Sequence, residues 1–403
     1  MIVYLEQNVW DAGLQRFRWL FDEFENVVVG FSGGKDSTVT LELALIVARE
    51  KNRLPLPVMF LDQEGEWQGT IDTVREVMYR DEVKPMWFQI PMVMTNNASS
   101  SDRFHKCWDE DKSDLWIHEK DPISIKENVY GEDRFHELFY PILKHHFPEG
   151  NAIYVAGVRG EEAPKRIMTL TKGNVYKGVT WGKIFNRKLG YYTFYPLYDW
   201  SYTDIWHAIE VNNWKYCKVY DEMYRQRIPH QNMRISNVHH ETALDTLTMI
   251  QEIEPKTWEK LTKVIGGANT IKHLDKSAFK CPKKLPHAFE SWKEYAHYLA
   301  DNLITVDEGR EKIDGLFAKW EPIFVDDAIQ RDFYASIITT ILSNDWDLTK
   351  FSNWAMLAKV VVYCRLKKGR TDLDRGALKF TNYLTPEMKE QLINTIEANE
   401  GTV

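Results

Sequence analysis

The sequence predicts an α/β fold, a parallel sheet with helices on both faces, followed by a mainly helical C-terminal domain. Two observations carry this. From Val27 onward, short apolar runs alternate with helix-like segments, the order expected when each strand reaches its parallel neighbour through a crossing helix. From about Leu285 the apolar residues recur only at helical spacing.

Each element follows in turn. Trp10, Leu14, Phe17, Phe21 and Phe24 fall at spacings of four and three, one stripe of a helix that should pack on the sheet edge. Val27 to Val29 is the first strand and Ser37 to Glu50 the helix after it. Leu56 to Leu61 is a second strand, a helix follows around Thr70 to Tyr79, and Met86 to Ile90 is a third strand. Thr95 to Asp114 is polar and aperiodic, which reads as a long surface loop placed to cover a site. Ala152 to Val158 repeats the short apolar run with a glycine near its end. Tyr191 to Trp200 is aromatic and strand-like, and Ser201 or Thr203 is placed to cap the helix TDIWHAIEVNN.

Tyr224 to His240 is the most basic stretch; it suits a second wall of a cleft, an acidic partner or a solvated face. Three groups then keep helical spacing: Trp292, Tyr295 and Leu299; Phe333, Ile337, Ile338, Ile341 and Leu342; Trp354, Leu357, Ala358 and Val361. The expected division is an N-terminal helix over 1–25, a nucleotide-binding domain over 26–215, a basic extension over 216–284 and a helical domain over 285–403.

Composition narrows the partners. The 403 residues carry a net charge of -8, so a chain-wide basic footprint is missing and nucleic acid is not indicated, although a local basic groove stays open. Cys107, Cys217, Cys281 and Cys364 stand far apart, without a C-x-x-C pair. That spacing argues against zinc, an iron-sulfur cluster or a disulfide framework. The first residues carry Glu6 and Asp11 and no apolar core, unlike a signal peptide, and no run approaches a membrane span. A soluble, cytoplasmic protein is expected.

The chemistry is written in "GFSGGKDSTVTLEL", Gly30 to Leu43. A strand, a turn of small residues and a helix make an anion site, because the helix start points N–H groups and partial positive charge outward. Gly33 and Gly34 let the backbone curl, Ser32 and Ser37 add hydroxyls, and Lys35 adds a point charge. The Walker pattern fails, with Val29 where its first glycine belongs and Asp36 directly after the lysine. An aspartate beside a phosphate lysine makes sense if it binds Mg²⁺ or orients a partner.

Ser32 to Ser37, SGGKDS, is identical to the PP-loop of the N-type ATP pyrophosphatases, and the chain is identified as a member of that superfamily, with the adenine nucleotide alpha hydrolase-like fold. The resemblance implies ATP and Mg²⁺, with cleavage at the α-phosphate to AMP and pyrophosphate through an adenylated substrate. Lys35, Asp36 and Asp62 are the implied catalytic residues, and Asp36 and Asp62 the implied Mg²⁺ ligands.

Further segments resemble the phosphoadenosine phosphosulfate (PAPS) reductase-like branch. Asp62 ends the second strand in FLDQEGEW, where the branch places an aspartate and an acidic-aromatic turn; capping the next helix is its alternative role. Gly157 to Arg166 (GVRGEEAPKR) resembles the branch's G-x-R-x-x-E-S-x-x-R motif, which implies that Gly157, Arg159 and Arg166 bind the nucleotide, with Ala163 in place of the usual serine. Pro196 to Trp206 matches a structural P-L-x-x-W-x-x-x-D-I-W pattern.

The reductase's C-terminal Cys-Gly-x-His is missing, and Cys364 sits in a helical VVYCRLKKG. The layout resembles PAPS-reductase-like proteins often borne on phages and mobile elements, among them relatives of the immunoglobulin-binding regulator A, which implies a ParB-like protein partner for the helical domain. Two functions remain: an ATP-dependent adenylating enzyme, or a nucleotide- or sulfonucleotide-binding regulator. Sulfonucleotide reduction without the usual cysteine stands third.

Overall fold

The computed structural model describes residues 6–95, 104–162, 175–235 except 187 and 189, 249–265, 280–304, 307–321, and 327–351 except 344, 347, 349 and 350. Of the residues singled out above, Ala163, Arg166, Trp354, Leu357, Ala358, Val361 and Cys364 lie outside these, as do positions 236–240 of the basic stretch.

The first helix, α1 (Val9–Glu23), starts under an Asn8 cap that accepts from the Asp11 amide. It buries Leu14, Phe17, Leu20 and Phe21. Then come β1 (Asn26–Gly30), α2 (Lys35–Glu50), β2 (Leu56–Leu61), α3 (Gln68–Met78) and β3 (Val83–Phe88). These are followed by β4 (Met92–Thr95), β5 (Phe104–Cys107), α4 (Phe135–His146) and β6 (Ala152–Val155), then β7 (Val175–Tyr176), β8 (Val179–Asn186) and β9 (Tyr191–Phe194). Helices α5 (Tyr202–Val211), α6 (Val219–Arg225) and α7 (Pro255–Val264) complete the first of two compact units, which runs to Asn269.

The main sheet has the order β3-β2-β1-β6-β9-β8-β7. Five strands, β3 to β9 in that order, pair in parallel, and β8 and β7 add an antiparallel edge. Period-two alternation decides which layer each strand residue feeds. Val27, Val29, Val58, Phe60, Ile153 and Val155 join a core with α1, α2, α3 and α5. Val28, Met59, Leu61, Met86 and Phe88 face the opposite layer with Leu138, Ile142 and Leu143 of α4. The fold is therefore the expected parallel α/β sheet with helices on both faces.

One expectation is corrected. The stretch from Thr95 to Asp114 is not all loop: β4 pairs antiparallel with β5, and Cys107 and Trp108 are fully buried. Only one side of FHKC meets the core, so its composition looks like loop. The hairpin β7–β8 was also not foreseen. Helix α1 packs on α2 and reaches the β9–β8–β7 side of the sheet through Trp19 and Phe24, whose rings meet Tyr176, Trp181, Tyr192 and Phe194.

Pro196 to Trp206 is structural, as read. Leu197 and Trp200 are buried, Arg16 holds Asp199 in a two-pronged ion pair, and Ser201 with Asp204 forms a capping box for α5. The second unit is helical: α8 (Trp292–Leu303), α9 (Asp307–Trp320) and α10 (Asp327–Leu342) share a core of Leu299, Phe317, Phe333, Ile337 and Ile341. Among the described residues, no helix is long and apolar enough to cross a membrane.

A candidate nucleotide site at the ends of β1 and β6

Strands β2 and β6 flank β1, and the chain leaves β1 and β6 on the same edge, the point of an open parallel sheet where ligands sit. A cavity of about 390 Å³ opens there. Ser32, Gly34, Lys35, Asp36 and Ser37 form its floor, Gly157 and Val158 one side, and Glu162, Tyr220, Arg234 and Ile235 another. The basic stretch thus lends Arg234 to the wall, while Arg225 and Arg227 are exposed.

The loop is shaped by its own side chains. Gly33 adopts φ +71°, and a Cβ there would meet the Thr70 methyl at 2.9 Å, so any other residue is strained. The Ser37 hydroxyl donates to the Gly34 carbonyl at 2.8 Å and accepts from the Ser32 amide at 3.2 Å. Gly34 caps α2 without a side-chain bond, so no side chain of the cap covers the start of this 16-residue helix. The Tyr220 hydroxyl accepts from the Lys35 amide at 3.3 Å, and burial first, then the Asp36 charge, hold its phenol well above its ordinary pKa.

Lys35 is almost fully buried beneath the rings of Tyr202 and Tyr220, 5.7 and 5.4 Å from its Nζ. Its ammonium donates to Asp36 at 3.0 Å, and Arg159 Nε donates to the other Asp36 oxygen. Arg159 also bonds Glu161 at 2.9 Å and the Trp200 carbonyl at 3.4 Å. Burial works against its charge, but Asp36 together with Glu162 and Glu161 outweighs that and raises its pKa. Arg159 therefore braces Asp36 from behind the cavity wall. Gly157 permits this: a Cβ there would lie 2.8 Å from the Asp36 carbonyl oxygen.

Asp62 is fully buried and turned inward. One oxygen accepts from the Glu64 amide at 2.8 Å; the other accepts from Trp87 Nε1 at 3.1 Å and Gln89 Nε2 at 2.9 Å, with His118 Nε2 at 3.2 Å. Gln89 passes the network to the Asp121 amide at 2.5 Å, and Asp121 holds Arg75 and Tyr79. The described geometry does not fit the expected Mg²⁺ ligands: both Asp36 oxygens face cations, both Asp62 oxygens face internal donors, and no three acidic, His or Cys side chains gather as a metal site among the described residues.

The structure thus brings Ser32, Gly34, Lys35, Asp36, Ser37 and Gly157 to one cavity, sets Gly33 and Arg159 directly behind it and Asp62 beneath. Tyr202, Tyr220 and Glu66 were not selected from sequence. Glu66 lies in the quoted FLDQEGEW, but nothing local says that it, unlike Asp62 and Glu64, meets the cavity.

Residues 26–227 match the family model described as the phosphoadenosine phosphosulfate reductase domain. The chain belongs to this family. A protein of Escherichia coli (strain K12), named Uncharacterized protein YbdN, is 26% identical over 85% of this chain and 89% of its own length. An adenosine 5'-phosphosulfate reductase of Lysinibacillus sphaericus (strain C3-41) is 22% identical over 54% of this chain and 78% of its own. Among solved structures, Candida glabrata FMN adenylyltransferase is 17% identical with a TM-score of 0.33, covering 55% of this chain. The chain spans 62% of that enzyme.

Three cysteines lie among the described residues. Cys107 and Cys217 are buried, and burial pushes both thiols up, away from a thiolate. In the helical unit burial raises Cys281 to about 11.

Proposed function

We propose that the cavity binds ATP with its phosphates on Ser32 to Ser37, and that the protein cleaves it at the α-phosphate. An acceptor oxygen attacks the α-phosphorus, the α–β phosphoanhydride bond breaks, pyrophosphate leaves, and the acceptor's proton passes to solvent. Lys35 and the first turn of α2 stabilise the charge growing on pyrophosphate, while Asp36 holds Lys35 in place with Arg159 behind it. Asp62 acts as a positioning residue for the turn after β2.

The observation that carries this reading is the buried Lys35 at the start of a helix without a side-chain cap, facing a cavity of nucleotide size. The raised cysteine thiols speak against reduction by the chain's own described thiols. A second reading, a nucleotide-binding regulator without turnover, is favoured by the pairing of Asp36 with both Lys35 and Arg159, which spends their charge inside the protein.

One experiment separates the two. The full chain is incubated with α-labelled ATP and Mg²⁺, with and without candidate acceptors. AMP or adenylated product that disappears in Lys35→Ala supports the enzyme; product formed equally by Lys35→Ala rules out this site. Retention of labelled ATP without product supports the regulator.

A further inference from the structure

The turn after β2 holds three buried acids with different fates. Asp62 takes three donated hydrogen bonds, and Glu64 accepts from the Trp108 amide at 2.6 Å and the Ile117 amide at 3.2 Å. Glu66 is 5% exposed, lines the nucleotide cavity, and has no hydrogen bond to its carboxyl from any described residue. Its carboxyl faces the cavity instead of a described side chain, so it is placed to meet what the cavity holds.

Its surroundings say which kind. Burial first, then the Asp62 charge, push the Glu66 carboxyl well above the usual range, which favours its protonated form, a donor and an acceptor side by side. The cavity lining also includes Met59, Phe60, Leu61, Phe135, Phe139 and Tyr154, apolar and aromatic side chains that suit a flat aromatic base. A ribose diol is better met by an ionised carboxylate that accepts from both hydroxyls. A donor–acceptor pair instead matches the adenine edge, where the 6-amino group donates and the adjacent ring nitrogen accepts.

We propose that Glu66 is the residue that reads adenine, accepting from the 6-amino group and donating to the neighbouring ring nitrogen. This rests on the reading of the cavity as a nucleotide site.

The test is equilibrium binding to the full chain of ATP, purine riboside triphosphate, which lacks the 6-amino group, and 2'-deoxy-ATP. The proteins are the wild type, Glu66→Gln, Glu66→Met and Lys35→Ala. Loss of a paired base contact predicts that the wild type binds the purine analogue about tenfold more weakly than ATP. Glu66→Gln, which keeps a donor and an acceptor, preserves that gap, and Glu66→Met closes it by weakening ATP alone. A gap that persists in Glu66→Met overturns the proposal. So does a change confined to the 2'-deoxy comparison, which would place Glu66 at the ribose, or an equal loss for all three nucleotides, which would make it structural. If the wild type binds none of them, or Lys35→Ala binds all as well as the wild type, the nucleotide site itself fails, and the adenine assignment with it.

Discussion

Replacing Asp62 by alanine should destabilise the first unit strongly, and the structure sets the scale. The substitution orphans three buried donors, the Glu64 amide, Trp87 Nε1 and Gln89 Nε2. An orphaned buried donor costs roughly 1–3 kcal/mol, and water entering the space left by the carboxylate recovers part of it. The net is about 3–5 kcal/mol, a large share of a typical domain's roughly 5–15. Asp62→Asn keeps the shape and one acceptor oxygen and should lose about half as much. Urea denaturation followed by circular dichroism reads the loss, and faster hydrogen exchange at the Glu64 amide assigns it to this network. A loss below about 1 kcal/mol for Asp62→Ala would refute the claim that these bonds hold the turn.

Other consequences follow from single observations. Gly157→Ala would put a Cβ 2.8 Å from the Asp36 carbonyl oxygen and 2.7 Å from Thr40 Oγ1. Because these belong to a helix that cannot give way, the loop after β6 must move, and ATP affinity measured by calorimetry should fall about tenfold, the weight of one lost contact of roughly 1.4 kcal/mol. His105 carries a pH dependence: burial first, then Lys112, lowers its pKa from 6.5 to about 4. The unfolded chain then takes up a proton that the native chain does not. The stability from keeping His105 neutral is present above pH 6.5 and is lost as pH falls from there through about 4. The loss is at most about 3.5 kcal/mol, at about 1.4 per pH unit. Denaturation midpoints across that range should show it, and His105→Gln should flatten the slope.

Much of this was legible locally. The alternation at Val27, Val28 and Val29 gives a strand between two layers, and SGGKDS gives the loop, because each depends on neighbours in sequence. Sequence also marks Asp62 as a strand-end residue. It does not show that the side chain turns inward, because Trp87 and Gln89 arrive from the next strand. Tyr220 reaches Lys35 across 185 residues of chain, and no pattern announces such a pair. The β7–β8 hairpin did leave a signal: Lys177 and Gly178, both at positive φ, are a two-residue turn between short β-branched and aromatic runs. In β5, alternate side chains point to solvent, so polarity hid the strand.

The central claim is that the start of α2 holds a nucleotide by its phosphates. Calorimetric titration of the wild type and of Lys35→Ala with ATP, at matched ionic strength, tests it most directly. The structure predicts saturable binding by the wild type, weakened about tenfold or more by Lys35→Ala, as expected on losing a charge-assisted contact of roughly 1.5–3 kcal/mol. Equal affinities in the two proteins, or no binding to the wild type, would contradict it.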